Sequence, residues 1–276
     1  MNRLFVAYKP TGIGSNQFLS KLKRKYNNKK AGFTGTLDPF AKGVLIVGFG
    51  SHTKLFRFLN KTPKTYRATL WLGADSPSLD TEMIENVEIV PEIEESKVKE
   101  IVESLRGELE YEPPIFSAKR INGQRAYDLA RAGKEVVLNK INSTIYESNL
   151  IHYKHPFVTF EATVSEGTYI RSLGRIIAHK LGVKDGSLSA LDRLNEGQFR
   201  YNNEEPLDIK KSLNIPLNVY TGDEENIRYG RVLAIEDLEI KEEGYYWLDN
   251  GDNISVINIK ENSVNYELGR IYVSTC

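Results

Sequence analysis

One carboxylate stands out by its surroundings. Asp38 lies within Gly32–Gly50, where a glycine-rich loop leads straight into an apolar run. Gly32 and Gly35 permit positive φ and close approach of another backbone. Pro39 biases Asp38 away from the helical region, which sets the carboxylate on extended chain. An acid fixed beside a buried strand suits a general base or a nucleophile, and the same Asp-Pro pair suits a solvated turn. Other chemistries find less support. His52, His152, His155 and His179 are scattered, and the one cysteine, Cys276, is the last residue. Neither metal-ligand spacing nor an internal disulfide is legible in that pattern.

The net charge of the 276 residues is zero, but its distribution is uneven. Residues 1–80 hold 14 lysines and arginines against 3 acids, residues 81–112 hold 3 against 11, and residues 201–276 hold 7 against 15. The basic excess thus surrounds Asp38. Such asymmetry points to a polyanionic partner, or to solvated basic faces. The hydrophobic share of 40% fits a globular chain with a substantial core. The apolar run Val44–Val47 is far too short to span a bilayer, and the first residues carry no signal-peptide core, so a cytoplasmic location is expected.

The elements that must position Asp38 follow from periodicity. Alternation predicts strands at Arg3–Tyr8, Lys64–Gly73 and Phe157–Val164, the apolar run bounded by glycines predicts a short buried strand at Gly43–Gly50, and a further strand is expected over Ser187–Phe199. Ser15 is expected to cap a helix with Phe18, Leu19, Leu22 and Tyr26 on its apolar face. The other face carries Lys21, Lys23, Arg24 and Lys25, which with Lys29 and Lys30 form a cationic cluster fit for phosphates. Further helices are predicted over His52–Leu59, Ser96–Leu105 (closed by Gly107), Gln124–Ala132 (closed by Gly133) and Tyr169–Leu181. Asn122-Gly123 signals a hairpin, and Val136, Leu138, Ile141 and Ile145 are candidate inward residues. Beyond Pro206 the texture becomes short strands near Ile227–Leu233, Tyr245–Leu248, Ile254–Ile259 and Val264–Val273. The expected organisation is α+β, with one domain over 1–214 and a small β-rich domain over 215–276.

Several strings now coincide: Lys9-Pro10-Thr11-Gly12; Gly32-Phe33-Thr34-Gly35-Thr36-Leu37-Asp38-Pro39; Lys64-Thr65-Tyr66; Pro113-Pro114 with Phe116-Ser117-Ala118-Lys119; Gly123, Tyr127, Ala130 and Arg131; and Gly167-Thr168-Tyr169-Ile170-Arg171. In order and spacing, from about residue 3 to about residue 200, the chain resembles the TruB family of tRNA pseudouridine synthases. The resemblance implies the pseudouridine-synthase core, a mixed central sheet flanked by helices, with a PUA-like C-terminal domain. It also implies isomerisation of uridine 55 in the T-loop of tRNA. That reaction cuts the N1–C1′ bond, turns the uracil and joins C5 to C1′. Nothing is oxidised or added, so neither cofactor nor metal is expected, and the T-arm stem-loop is the expected partner.

Residue by residue, Asp38 matches the catalytic aspartate, Arg171 the arginine that pairs with it, and Tyr66 the tyrosine set against the target base. Tyr169 is placed in the same pocket or in the core. Lys9 is expected to be structural or phosphate-facing, and Gly35 and Phe33 to border the space left by a flipped nucleotide. Three positions depart from the family pattern. Phe33 stands where histidine is usual, Ser76-Pro77-Ser78 replaces Thr-Asp-Thr ahead of Asp80, and Asp192 precedes Arg193 where a second arginine is common. The last is expected to lower the local cation density. Two further roles remain open: a tRNA-folding factor with secondary catalysis, or a synthase for another RNA.

Overall fold

The computed structural model describes residues 2–117, 120–121, 124–132 and 138–273. Ala118, Lys119, Asn122, Gly123, Gly133, Val136 and Cys276 of the sequence reading lie outside the described residues, as do the side chains of Ala130 and Arg131. The central sheet is built from β1 (Arg3–Lys9), β2 (Ala31–Phe33), β3 (Lys42–Phe49), β4 (Lys64–Leu72), β5 (Gly107–Tyr111), β6 (Ile141–Lys154), β7 (Phe157–Val164) and β8 (Gly186–Glu196). Its order is β1-β3-β8-β4-β7-β6-β5, with β2 also paired to β3. All ladders are antiparallel except β3 with β8, which meet in parallel at Lys42/Asp192 and Gly43/Arg193. The sheet is therefore mixed, as the sequence reading expects.

Period-two alternation decides what each face covers. Phe5, Ala7, Leu45, Val47, Tyr66, Ala68, Leu70 and Phe160 point to one face. There they meet Phe18, Leu19 and Leu22 of α1 (Ser15–Lys25), Val98 and Val102 of α2 (Glu95–Glu103), and Leu173 and Ile177 of α3 (Ile170–Lys180). The intervening residues Leu4, Val6, Val44 and Ile46 point the other way, into a second cluster with Ile254, Val256, Leu268 and Ile271. Those come from a four-stranded sheet of β9 (Leu217–Asn218), β10 (Gly244–Asp249), β11 (Asn253–Lys260) and β12 (Ser263–Tyr272). His52, fully buried on the 3₁₀ turn Gly50–Phe58, donates from Nε2 to the Tyr272 carbonyl at 2.7 Å and ties the two sheets together. No helix among the described residues is long and apolar enough to cross a membrane.

Three local expectations are corrected. Ser15 does not cap α1. Gly14 takes that position, and Ser15 Oγ donates to Leu37 O at 2.8 Å and accepts from Leu37 N at 2.9 Å. The hydroxyl is spent on holding the Asp38 loop instead. Gly107 does not close α2, which stops at Glu103; it opens β5 at φ +117°. The segment near Ile227–Leu233 is not a strand. A helix covers Glu224–Tyr229, with Asp223 accepting from Glu225 N and Gly230 left-handed after it, so capping chemistry outweighs β-propensity.

Candidate active site

Asp38 lies on the loop between β2 and β3, and neighbours from three directions fix that loop. Gly12 N donates to Pro39 O at 2.8 Å from the turn after β1. Ser15 grips Leu37 from α1, and Thr34 N donates to Ile46 O at 3.0 Å. Two glycines are required by the geometry. Gly43, at φ +126°, lies so close to β8 that an added Cβ would fall 2.4 Å from Arg193 N. Gly35, at φ +54°, leaves no room either, since a Cβ would meet Arg193 Nη1 at 2.9 Å.

Arg171 sits in the first turn of α3, where the helix dipole disfavours a cation. Acids and carbonyls offset this. Its Nη2 pairs with Asp38 Oδ2 at 3.0 Å and donates to Phe116 O at 2.8 Å. Its Nη1 donates to Ser78 O at 2.7 Å and to Asp80 Oδ2 at 3.2 Å. Asp80 is itself buried and accepts from Ser78 Oγ at 2.6 Å and Glu82 N at 3.0 Å. One guanidinium thus serves two carboxylates. Asp38 keeps 38% of its side-chain exposure while Arg171 keeps 5%. Burial pushes the Asp38 carboxyl above the usual carboxylate range; Arg171 and Lys9 oppose the shift and Asp80 adds to it. Water on the open side of Asp38 relieves part of that burial. Arg171 therefore limits the rise without reversing it.

A cleft of about 340 Å³ opens over the pair, and Gly35, Asp38, Lys64, Tyr66, Tyr169, Arg171, Leu191 and Arg193 line it. A second cavity of about 530 Å³ shares Asp38 and Arg171 and extends to Asn16, Asp80, Phe116 and Tyr127. Tyr66, 8% exposed on β4, and Tyr169, just before α3, both reach the smaller cleft. Tyr169 is set by its backbone N, which donates to Tyr111 Oη at 2.9 Å.

The sequence of residues 23–170 matches the family described as TruB family pseudouridylate synthase (N terminal domain). Over 271 residues the chain is 72% identical to the tRNA pseudouridine synthase B of Sulfurimonas denitrificans, covering 98% of this chain and 99% of that relative. The chain belongs to the TruB family. It is also 49% identical to tRNA pseudouridine synthase B of Campylobacter jejuni, again over 98% of this chain and 99% of the other. Among solved structures, a chain of a Cbf5-Nop10-Gar1 complex is similar in fold, with TM-score 0.65 and 20% identity over 99% of this chain and 84% of that one. A chain of the archaeal box H/ACA sRNP Nop10-Cbf5 complex matches with TM-score 0.65 and 18% identity, over 99% and 87%. The fold is thus that of the pseudouridine synthases, and the chain is an isomerase of that class.

In this TruB-family chain the sequence-predicted residues are not all in one place. Asp38, Arg171, Tyr66, Tyr169 and Gly35 share the cleft. Phe33 does not line it; it is half-buried on β2 against the helical face of the sheet. Lys9 is fully buried, with Nζ donating to Pro10 O at 2.9 Å and Ile13 O at 2.7 Å. Its ammonium is thus taken up by the protein's own backbone. Burial pushes its ammonium down to about 8, against the pull of Asp38. Asp192 takes no charge from the cleft either. It points away from Arg193 across β8 and accepts from Tyr8 Oη at 2.7 Å. Sequence reasoning named Lys64 within a string and Asp80 within a family pattern but gave neither a role, and it passed over Glu196; period two puts Lys64 on the same face of β4 as Tyr66.

Proposed function

We propose that this TruB-family enzyme converts uridine 55 in the T-loop of tRNA to pseudouridine. Asp38 acts at the ribose, as nucleophile or as base, while the N1–C1′ bond breaks. Arg171 aims the carboxylate and limits the burial-driven rise in its proton affinity. The target base must leave its stack to reach Asp38, which costs a few kcal/mol. Tyr66 offers a ring to stack on, and Tyr169 closes the pocket beside it. The uracil then turns, C5 joins C1′, and the C5 proton is replaced by one at N1. Atoms and electrons balance within one nucleoside. The observation that carries this reading is the 3.0 Å Asp38–Arg171 pair at the floor of a cleft shared with Tyr66. The relatives' name, tRNA pseudouridine synthase B, supports tRNA as substrate. The same proposal includes a cytoplasmic site of action and a division near residue 215 into a catalytic and a small PUA-like domain.

The test is incubation with an unmodified T-arm stem-loop and mapping of new pseudouridine. The expected result is a single modified position, lost in Asp38→Asn while RNA binding persists. Asp38→Asn turning over at the wild-type rate would overturn the assignment.

A further inference from the structure

The cleft has a second charged end, opposite in sign to the first. Lys64 lies two residues before Tyr66 on β4, so both side chains leave the same face of the strand and line the same cleft. Beside Lys64 lies Arg193, and beneath both lies Glu196, each almost wholly buried. Glu196 Oε1 accepts from Thr34 Oγ1 at 2.8 Å and sits 3.7 Å from Lys64 Nζ; Oε2 is 3.4 Å from Arg193 Nη2. One buried anion therefore stands against two buried cations.

The cations of the cleft region are not equally occupied. The Arg171 guanidinium has four short contacts. Arg193 donates from Nε to Val44 O at 2.9 Å and from Nη2 to Gly35 O at 2.7 Å. The Lys9 ammonium is taken by two carbonyls. Among the described residues, Lys64 Nζ has only two loose ion pairs, with Glu196 at 3.7 Å and with Glu166 at 3.5 Å. An ammonium has three donors, and leaving them poorly used in a buried place is unfavourable. Glu166 belongs to the turn before α3, lines the cleft, and is 60% exposed, so water weakens its hold.

We propose that Lys64 is the phosphate-binding group of the cleft. It receives the backbone phosphate next to the reacting uridine, and that phosphate displaces Glu166. The assignment rests on the RNA-isomerase reading above. Once Glu166 is displaced, a uracil carbonyl would leave the surplus positive charge of the Lys64–Arg193–Glu196 group unbalanced, whereas a phosphodiester cancels it. The Asp38–Asp80–Arg171 group carries surplus negative charge and repels phosphate, so the two ends fix which way the nucleotide enters. An ammonium–phosphate contact at about 2.7–2.9 Å is stronger than either present ion pair.

The experiment uses the full chain and T-arm stem-loops in which each phosphate flanking the target uridine is in turn made neutral as a methylphosphonate. With wild type, one such replacement is expected to raise KM roughly ten- to a hundredfold, the worth of a charged hydrogen bond, with little change in kcat. Lys64→Gln is expected to show a similarly raised KM on ordinary RNA and no further loss at that phosphate. Lys64→Arg restores the sensitivity. Equal methylphosphonate penalties in wild type and Lys64→Gln at every position would overturn the assignment. Glu166→Gln, at an exposed position, guards against misfolding of the Lys64 variant: it should lower KM at low salt, and a raised KM would count as refutation. If wild type forms no pseudouridine in the unmodified stem-loop, it is the RNA reading that fails; an active wild type with equal penalties removes only Lys64.

Discussion

Two buried arginines flank the Gly35–Asp38 loop, and they are built to opposite ends. Arg171 joins two acids, Asp38 and Asp80, so its group is one negative charge in surplus. Arg193 and Lys64 share one buried acid, Glu196, so among the buried charges of this group one positive charge is in surplus, met only by the exposed Glu166. The first group leaves Asp38 partly open to the cleft, while the second keeps its acid sealed. The difference teaches what each is for. A sealed acid between two cations holds chain segments together, here Thr34, β4 and β8. An acid in surplus, with one side open to the cleft, keeps a raised proton affinity that burial imposes and Arg171 limits.

The sharpest way to break this comparison is to neutralise each acid in turn. Asp38→Asn is expected to cut turnover on the order of 10³-fold, measured as pseudouridine formed in a T-arm stem-loop, with RNA affinity retained. Glu196→Gln is expected to act on stability, by about 3–5 kcal/mol in denaturant unfolding, because Arg193 and Lys64 stay buried without their anion. If Glu196→Gln were as stable as wild type, the sealed group would have no structural role.

Smaller changes sharpen the same contrast. Arg171→Lys keeps the charge but loses the fork that spans Asp38, Asp80 and two carbonyls; a fall in kcat of roughly 10²-fold is expected from misdirection of the carboxylate. Asp80→Asn removes a negative neighbour that raises the Asp38 proton affinity. The acid limb of kcat/KM against pH should therefore move to lower pH, and a shift upward would contradict the shared-arginine geometry. The smallest effect concerns stability. A carboxyl raised in the folded state binds protons more tightly there than in the unfolded chain, so its ionisation destabilises the fold as pH rises through the folded value. Asp38→Asn should therefore melt slightly higher than wild type at pH 7. The gain should vanish as pH falls toward the ordinary aspartate value near ~4.

The strands and long helices were legible because period-two and period-3.6 patterns report burial directly. Tyr66, Ala68, Leu70 and Leu72 alternate inward on β4 as their spacing predicts. Asp38 was legible too, through its loop composition, and Arg171 through the string Gly-Thr-Tyr-Ile-Arg. Errors arose where a side chain had two possible partners. Ser15 has the chemistry of a cap, yet it bonds to Leu37, 22 residues away. Lys9 had two expected roles, structural or phosphate-facing, and it closes β1 fully buried, with its ammonium on the Pro10 and Ile13 carbonyls.

Sequence alone determined which residues form elements and which carry charge, since propensity, alternation and side-chain chemistry are local properties. Only the tertiary structure decided which charges share a partner. Arg171 reaches both Asp38 and Asp80 because α3, the β2–β3 loop and the Ser78–Asp80 turn converge, and Glu196 lies beneath Arg193 and Lys64 because β8 pairs with both β3 and β4. Coulomb energies and desolvation depend on distance and surroundings in space, and the order of residues along a chain records neither.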